Sequence, residues 1–200
     1  MAKQGVSFVQ MVVTLFLVTL VASSSLGIVY TVTKEPIEEA KKAKKQTAIQ
    51  AVLPKFENNP DDDSISVTVD EGEVIAYPGI KNDSVTGVAI GTFTEQGYSG
   101  LIKLMVGFRS DGSIYNLSVL EHQETPGLGA KIEKNKSDFA KQFINKNPEQ
   151  YSLQVKKDGG DVDAITAATI SSRAYCTAVE RAYEAFKKLK LTNGTIQESQ

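Results

Sequence analysis

The chain has 200 residues, of which 41% are hydrophobic and 23% charged, and its formal net charge is −2. These values suit one ordinary domain with an appendage, and the slightly acidic balance argues against nucleic acid as a partner. The single cysteine, Cys176, excludes an internal disulfide, and with the single histidine, His122, it offers little basis for a resident metal site. We expect Cys176 to be a buried small residue of a helix.

An uninterrupted apolar run dominates the N-terminal part of the chain. No charged side chain lies between Lys3 and Lys34, and the run from Met11 to Tyr30 reaches the roughly 20 residues needed to span a bilayer. Hydroxyl groups at residues 23–25 can bond back to the helix backbone and are tolerated in a span. The apolar region of a cleaved signal peptide is usually only about 7–15 residues, so the run predicts an uncleaved membrane anchor.

A second helix is predicted after the span. Proline suits the first helical position, so Glu35-Pro36 predicts its start, and Leu53-Pro54 predicts its end. The polar residues 58–64 then predict a loop.

The middle of the chain changes to a period of two, which is typical of strands. Ile65, Val67 and Val69 alternate with polar residues, Glu71-Gly72 predicts a turn, and Asp111-Gly112 predicts a hairpin turn. Further strands are predicted over residues 73–77, 85–93, 102–108 and 114–121, followed by a short helix capped by Ser137 and an edge strand over residues 151–155. The fold class is therefore α+β: an N-terminal transmembrane helix, then an antiparallel-sheet domain with flanking helices.

Two segments have the small residues and turns of a binding site. Residues 122–129 contain Glu124-Thr-Pro-Gly-Leu-Gly129, which predicts a tight loop with accessible backbone, although an ordinary turn would explain it equally well. Thr169 lies at the start of a predicted C-terminal helix, in which Ile170, Ala174, Ala178, Ala182 and Phe186 recur every four residues. A helix N-terminus favours a phosphate group, and the small side chains of residues 167 and 168 allow a close approach. A simple N-cap role for Thr166 or Thr169 is the alternative.

Both segments resemble one family. Asp163-x-x-Thr166-Ala-Ala168-Thr169, followed by Ser and Ser-Arg-Ala, resembles the flavinylation motif of FMN-binding domains in bacterial respiratory complexes. These domains occur in the G subunit of the Rnf complex and in the C subunit of the sodium-translocating NADH:quinone reductase. The Glu124–Gly129 run resembles the segment that lies against the flavin in the same family, and the two motifs occur in the expected order, about 40 residues apart. The family usually has Gly where this chain has Ala167, so we expect a turn that avoids positive φ there.

The resemblance implies a covalent cofactor. FMN would be joined by a phosphoester bond to Thr169, with Asp163, Thr166 and Ala168 completing the attachment motif. The resemblance implies that a separate flavin transferase makes the bond, with FAD as donor and a metal ion. Thr169 itself has no adjacent base to activate it, so we do not expect it to be catalytic. Residues expected at the flavin are Glu124, Thr125, Gly127, Leu128 and Gly129.

Each of these residues has an expected role. Leu128 would form an apolar wall, while Thr125 and the N–H groups of residues 127–129 would bond to the ring or ribityl chain. Glu124 would orient the loop. Asp163 would either cap the loop before Thr166 or help the transferase to bind metal.

The resemblance also implies a function. The chain would be an electron-carrier subunit of a membrane-bound, ion-translocating ferredoxin:NAD oxidoreductase (Rnf) complex, with the other membrane subunits as partners and no turnover of its own. It lacks a dinucleotide-binding fingerprint. The alternatives are the C subunit of the quinone reductase, a stand-alone flavin carrier and a pilin-like structural protein. The last arises because Lys3-Gln-Gly5 and the following apolar run resemble a type IV pilin leader, with Gln10 at the position where Glu is usual.

The two indications of membrane orientation conflict. The lysines that follow the span, from Lys34 to Lys45, favour a cytoplasmic C-terminal side. The resemblance instead implies a single-pass protein of the inner membrane with its soluble domain on the outer, periplasmic face, and we adopt this orientation. The expected division is residues 1–33 for the N-terminal tail and transmembrane helix, 34–60 for a juxtamembrane helix and linker, 61–190 for the FMN-binding domain and 191–200 for a flexible tail.

Overall fold

The structure is a computed structural model that describes residues 7–70, 72–192 and 194–198. The chain divides into two compact units, Met1–Lys44 and Lys45–Gln200. In the first unit, the described residues from Phe8 onward are helical. The second contains the sheet and the C-terminal helix.

Helix α1 runs without interruption over Phe8–Val52. Its length and composition suffice to cross a membrane, and hydroxyls inside the apolar run bond back to the backbone, as Thr14 does to the Gln10 carbonyl at 2.8 Å. The expected second helix beginning at Glu35-Pro36 is wrong, because Pro36 lies inside α1. A proline removes one backbone hydrogen bond, and the helix continues on both sides of that gap.

Five antiparallel strands form a single sheet in the order β1-β2-β3-β4-β5. Their bounds are Ile65–Val69, Gly72–Lys81, Ser84–Gly97, Gly100–Arg109 and Ile114–His122. Each strand pairs with the next along the chain, as the alternating pattern and the turn residues predict. The expected turn at Glu71-Gly72 lies partly outside the described residues, since Glu71 is not described.

Helix α2, Thr169–Lys187, packs on one face of the sheet. Ile102, Leu104, Val106 and Phe108 point into this core and are fully buried, as their shared strand face predicts. The last turns of α1 cover part of the opposite face through Ala48, Ile49 and Val52. Gly107 permits the close approach, because a Cβ atom there would lie 1.7 Å from the Val52 carbonyl oxygen.

The described residues of the C-terminal tail form a hairpin. Strands β6, Leu189–Thr192, and β7, Thr195–Glu198, form an antiparallel hairpin that buries Leu189 and Ile196. The expectation of a flexible tail over 191–200 is therefore wrong for its described residues; Asn193, Ser199 and Gln200 lie outside them. The Asn193-Gly194 pair is itself a hairpin signal, and Gly194 has φ +72°.

Two further local expectations are corrected. Residues 151–155 do not form an edge strand: Leu153 and Val155 are buried, but the segment pairs only through an isolated bridge between Val155 and Val162 among the described residues. The short helix after Ser137 is a 3-10 helix, Phe139–Phe143, with Asp138 at its N-cap. Ser137 still accepts a hydrogen bond from the Phe139 N–H at 3.1 Å.

Candidate flavin site

A cavity of about 520 Å³ lies where the start of α2 meets the Pro-Gly loop and the β3–β4 turn. Small-molecule sites typically enclose about 300–1,000 Å³, so the cavity has the size of a cofactor site. The residues that line it are Tyr98, Glu124, Thr125, Leu128, Gly129, Ala167, Ala168, Thr169, Ile170 and Ser171.

A tight turn immediately precedes α2. The Ala168 N–H donates to the Ile165 carbonyl at 2.9 Å, which closes a four-residue turn. Ala167, the third residue of this turn, has φ +63°. The expectation that Ala167 avoids positive φ is wrong: the turn keeps the conformation that suits Gly, and alanine adopts it at a steric cost.

Ser172 holds this turn in place from inside α2. Its hydroxyl accepts a hydrogen bond from the Ile165 N–H and donates one to the Ala168 carbonyl, both at 2.9 Å. Ser172 is fully buried, so neither bond competes with bulk water. The turn before Thr169 is therefore fixed on both sides by one serine.

Thr169 is the first residue of α2 and is half-buried. The N-cap residue is Ala168, and no side-chain capping hydrogen bond occurs there among the described residues. The simple N-cap interpretation of Thr166 or Thr169 is therefore wrong. The first N–H groups of a helix have no intrahelical partner and lie at the positive end of the helix dipole, so this end of the cavity suits a phosphate group.

The Pro-Gly loop forms the facing wall. The Thr125 carbonyl accepts hydrogen bonds from the N–H groups of Leu128, at 3.2 Å, and Ala130, at 3.1 Å, which coils the loop tightly. Gly127 has φ +76° at its exposed apex. Leu128 remains 43% exposed beside the cavity, although it is a large apolar residue.

A buried carboxylate joins the three segments that form the cavity. Glu124 is 4% exposed; its Oε1 accepts a hydrogen bond from the Ser99 N–H at 3.0 Å, and its Oε2 accepts one from the Ser171 hydroxyl. We call this arrangement the Glu124 bridge. Two glycines make room for it, since a Cβ atom at Gly97 would lie 2.6 Å from Oε1 and one at Gly129 would lie 2.5 Å from Oε2.

His122 fixes the backbone just before the loop. Its Nδ1 accepts the Glu124 N–H at 3.0 Å, so the ring proton is on Nε2, which donates to Glu133 at 2.6 Å. Burial alone would raise the pKa of Glu133, but hydrogen bonds from Lys136 and His122 outweigh it and hold the pKa below its ordinary value. His122 therefore holds the loop backbone through a hydrogen bond and does not line the cavity.

Most of the residues expected from the sequence converge on this cavity. Glu124, Thr125, Leu128, Gly129, Ala168 and Thr169 all line it. Gly127 lies at the exposed apex of the same loop, and Thr166 is exposed on the turn before α2, outside the lining. Asp163 is also exposed, and its carboxylate pairs with Lys156 at 2.8 Å instead of capping the backbone before Thr166.

Sequence reasoning missed three residues that line the cavity. Tyr98 falls in none of the predicted strands, Ser171 is expected only as part of the motif that contains Thr169, and Ile170 is expected on the apolar face of the helix. Ile170 is instead 48% exposed and faces the cavity. A large apolar residue in the first turn of a helix, one position after the motif threonine, was the available signal for it.

Cys176 lies elsewhere, in the middle of α2, and is 3% exposed as expected. Burial raises the pKa of its thiol to about 12. A neutral, buried thiol is inert.

Comparison with known proteins agrees with this geometry. Residues 97–184 match the FMN-binding domain family, a range that contains the β3–β4 turn, the Pro-Gly loop and most of α2. The G subunit of the ion-translocating oxidoreductase complex of Erwinia tasmaniensis is 36% identical over 178 residues, covering 84% of this chain and 85% of that protein. The chain belongs to this G-subunit family. The G subunits of Vibrio cholerae, 33% identical over 82% of this chain and 83% of theirs, and Shewanella oneidensis, 43% identical over 56% and 54%, are also similar.

Membership of the G-subunit family confirms three expectations: the family itself, the α+β fold with an N-terminal apolar helix, and a redox subunit of a translocating complex with an FMN-binding domain. It does not favour the alternatives of a quinone reductase component or a pilin-like structural protein. The cavity fits FMN on its own geometry, since one end has helix N–H groups for a phosphate and the rim has apolar side chains for a ring.

Proposed function

We propose that this protein relays electrons through FMN that is attached to the Thr169 hydroxyl by a phosphoester bond. The observation that carries the proposal is the position of Thr169 as the first residue of α2 and in the wall of the cavity. A phosphate on this oxygen would lie beside the first N–H groups of the helix. FMN supplies the redox chemistry when bound, and the protein supplies binding and orientation.

The attachment needs a second protein. The Thr169 oxygen forms the new bond to phosphorus, the bond between that phosphorus and the AMP part of FAD breaks, and the hydroxyl proton leaves. No histidine or lysine lines the cavity among the described residues to activate the hydroxyl. We propose a flavin transferase as the catalyst and FAD as the donor.

The surrounding turn suits such a modification. Residues 166 and 167 are exposed, and neither Ala167 nor Ala168 has a side chain that would block approach to Thr169. Ser172 keeps the turn fixed from the buried side. Asp163 and its partner Lys156 form an exposed polar surface at the start of the same segment, and we propose that the transferase contacts Asp163 there.

Other proposed residues act on the ring or ribityl chain. Leu128 is exposed beside the cavity and supplies apolar surface. Thr125, Gly127 and Gly129 supply a hydroxyl and backbone N–H groups. The two carboxylate oxygens of Glu124 accept hydrogen bonds from Ser99 and Ser171. Glu124 therefore keeps the loop in place.

Thr177 provides a matched control for the attachment site, because it is a half-buried threonine of the same helix that lies outside both the motif and the cavity lining. The chain and its Thr169→Ala, Thr169→Ser and Thr177→Ala variants are produced with a flavin transferase and analysed by peptide mass spectrometry. We expect the mass of FMN less water on the Thr169 peptide of the wild type and Thr177→Ala, none in Thr169→Ala, and retention in Thr169→Ser. A full adduct in Thr169→Ala, with the same circular dichroism as the wild type, would refute the assignment.

We also propose that α1 spans the inner membrane once, with the second unit on the periplasmic face and the other subunits of the complex as its partners. Covalent attachment supports this orientation, since an unattached FMN outside the cytoplasm would be lost. Fusions of a periplasm-dependent reporter and a cytoplasm-dependent reporter to the C-terminus test it. Activity of only the cytoplasm-dependent reporter would show that the second unit lies in the cytoplasm, which is the orientation that the lysines after the span favour.

A further inference from the structure

Within the second unit, exposed large apolar side chains are concentrated around the cavity. In the second unit, the large hydrophobic residues that remain exposed among those described are Ile75, Tyr98, Leu128 and Ile170. All but Ile75 line the cavity. Scattered exposed apolar residues are normal, but three that share one rim indicate a surface that a ligand covers.

Tyr98 is the most exposed of the four, at 70%. It lies in the turn between β3 and β4, where Gly97 pairs with Gly100 and Tyr98 and Ser99 are the two connecting residues. Gly100 has φ +97°, a backbone conformation that glycine adopts without the steric cost of a Cβ atom. The turn therefore presents an aromatic ring to solvent at the edge of the cavity.

The Glu124 bridge holds this turn in position. The Ser99 N–H, one residue after Tyr98, bonds to Glu124 Oε1, and Glu124 Oε2 bonds to Ser171 in the first turn of α2. The hydrogen bonds of a buried carboxylate are costly to break, because the buried oxygens would be left without donors. The position of Tyr98 is thereby coupled to the start of α2, two residues from Thr169.

We propose that Tyr98 is the aromatic wall of the flavin site and packs against the isoalloxazine ring, with the Glu124 bridge as the device that positions it. This inference rests on the proposed attachment of FMN to Thr169. The phosphate is directed to the helix N-terminus, and Tyr98 is the aromatic residue among those that line the cavity. A flat ring of mixed polarity is the ligand that an exposed tyrosine ring packs against well.

Contact with Tyr98 has two measurable consequences. The phenol ring of tyrosine gives one electron to a photoexcited flavin and takes it back, so the flavin returns to its ground state without emission and without net reaction. Phenylalanine is a much poorer electron donor. The negative face of a stacked aromatic ring, which phenylalanine shares with tyrosine, also disfavours added electron density on the flavin and lowers its midpoint potential.

The test uses the full chain, flavinylated and purified in detergent, with fluorescence normalised to flavin absorbance. Tyr98→Phe keeps the aromatic wall and removes the donor, so we expect fluorescence to rise several-fold with little change in potential. Tyr98→Ala removes both, so we expect a similar rise in fluorescence and a higher midpoint potential. Tyr115→Phe, on β5 beside Arg109 and outside the cavity lining, is the matched control and should match the wild type. The chain has no tryptophan to add a second donor.

Equal fluorescence of Tyr98→Phe and the wild type, at equal flavin content, would overturn the inference. Peptide mass spectrometry on every sample separates this result from failure of the proposed function. A wild-type chain without FMN on Thr169 would overturn the proposed function, and the role of Tyr98 with it.

The bridge has a test of its own. Glu124→Gln keeps an oxygen that accepts from the Ser99 N–H, so Tyr98 should stay in place and the fluorescence should stay low. Glu124→Ala removes both acceptors, and we expect a partial rise in fluorescence with FMN still attached. Equal quenching in the two flavinylated variants would show that the bridge does not position Tyr98.

Discussion

Ala167 occupies a backbone conformation that disfavours every residue with a Cβ atom, and replacing it by glycine measures that strain. Its φ of +63° is imposed by the hydrogen bond from Ala168 to Ile165 and by the two bonds of Ser172. An L-residue in the left-handed region costs about 1–2 kcal/mol. Ala167→Gly removes this cost.

The expected gain is smaller than the strain. Glycine gives the unfolded chain more conformational freedom, which lowers the free energy of unfolding by about 0.4–1 kcal/mol. The side chain of Ala167 is exposed, so its loss removes little packing. We therefore expect the free energy of unfolding to rise by about 0.5–1 kcal/mol. For a domain of this size, each kcal/mol corresponds to about 2–4 °C in Tm.

Ala164→Gly is the matched control, since Ala164 lies in the same segment and its φ is not positive. This variant gains flexibility in the unfolded state without relief of strain, so its stability should fall by about 0.4–1 kcal/mol. A further loss of packing is expected, because Ala164 is partly buried against the core. Urea unfolding of the unflavinylated full chain in detergent, followed by near-ultraviolet circular dichroism of the tyrosines, measures both changes. If Ala167→Gly loses as much stability as Ala164→Gly, the turn at Ala167 is not strained and the argument fails.

Two further predictions concern the C-terminal part of the fold. Ile196→Ala should destabilise the protein by about 2–4 kcal/mol, because a buried isoleucine of β7 loses its packing; a fully frayed tail would give no change in the urea midpoint. The Cys176 thiol should react with an aromatic disulfide reagent at pH 8 only as fast as the protein unfolds, because burial raises its pKa to about 12. The folded state keeps the proton that the unfolded thiol, with a pKa of about 8.5, releases. The contribution of the Cys176 thiol to the free energy of unfolding is therefore complete below about pH 8.5 and is lost as the pH rises towards 12. Rapid labelling of the native protein would contradict the predicted burial. A Cys176→Ala variant that loses the same stability above about pH 8.5 would contradict the predicted pH dependence.

The site was partly predictable because its two motifs are local. Glu124–Gly129 and Asp163–Thr169 are each contiguous in sequence, and their joint occurrence indicated the family before any geometry was known. Tyr98 was not predictable in the same way. It reaches the cavity only because β3 and β4 pair antiparallel and bring their turn beside the Pro-Gly loop.

The sequence by itself determined the apolar span, the strands of the sheet and the two motifs that meet at the cavity, because periodicity, hydropathy and short-range turn chemistry are properties of neighbouring residues. Even the C-terminal hairpin has a local signal in Asn193-Gly194. Only the tertiary structure decided the continuity of α1 through Pro36, the positive φ of Ala167 and the partners of Glu124. The partners of Glu124 lie far away in the sequence, and the continuity of α1 depends on the sum of many weak terms along the helix. The conformation of Ala167 depends on the two hydrogen bonds of the buried Ser172, which residue patterns alone do not specify.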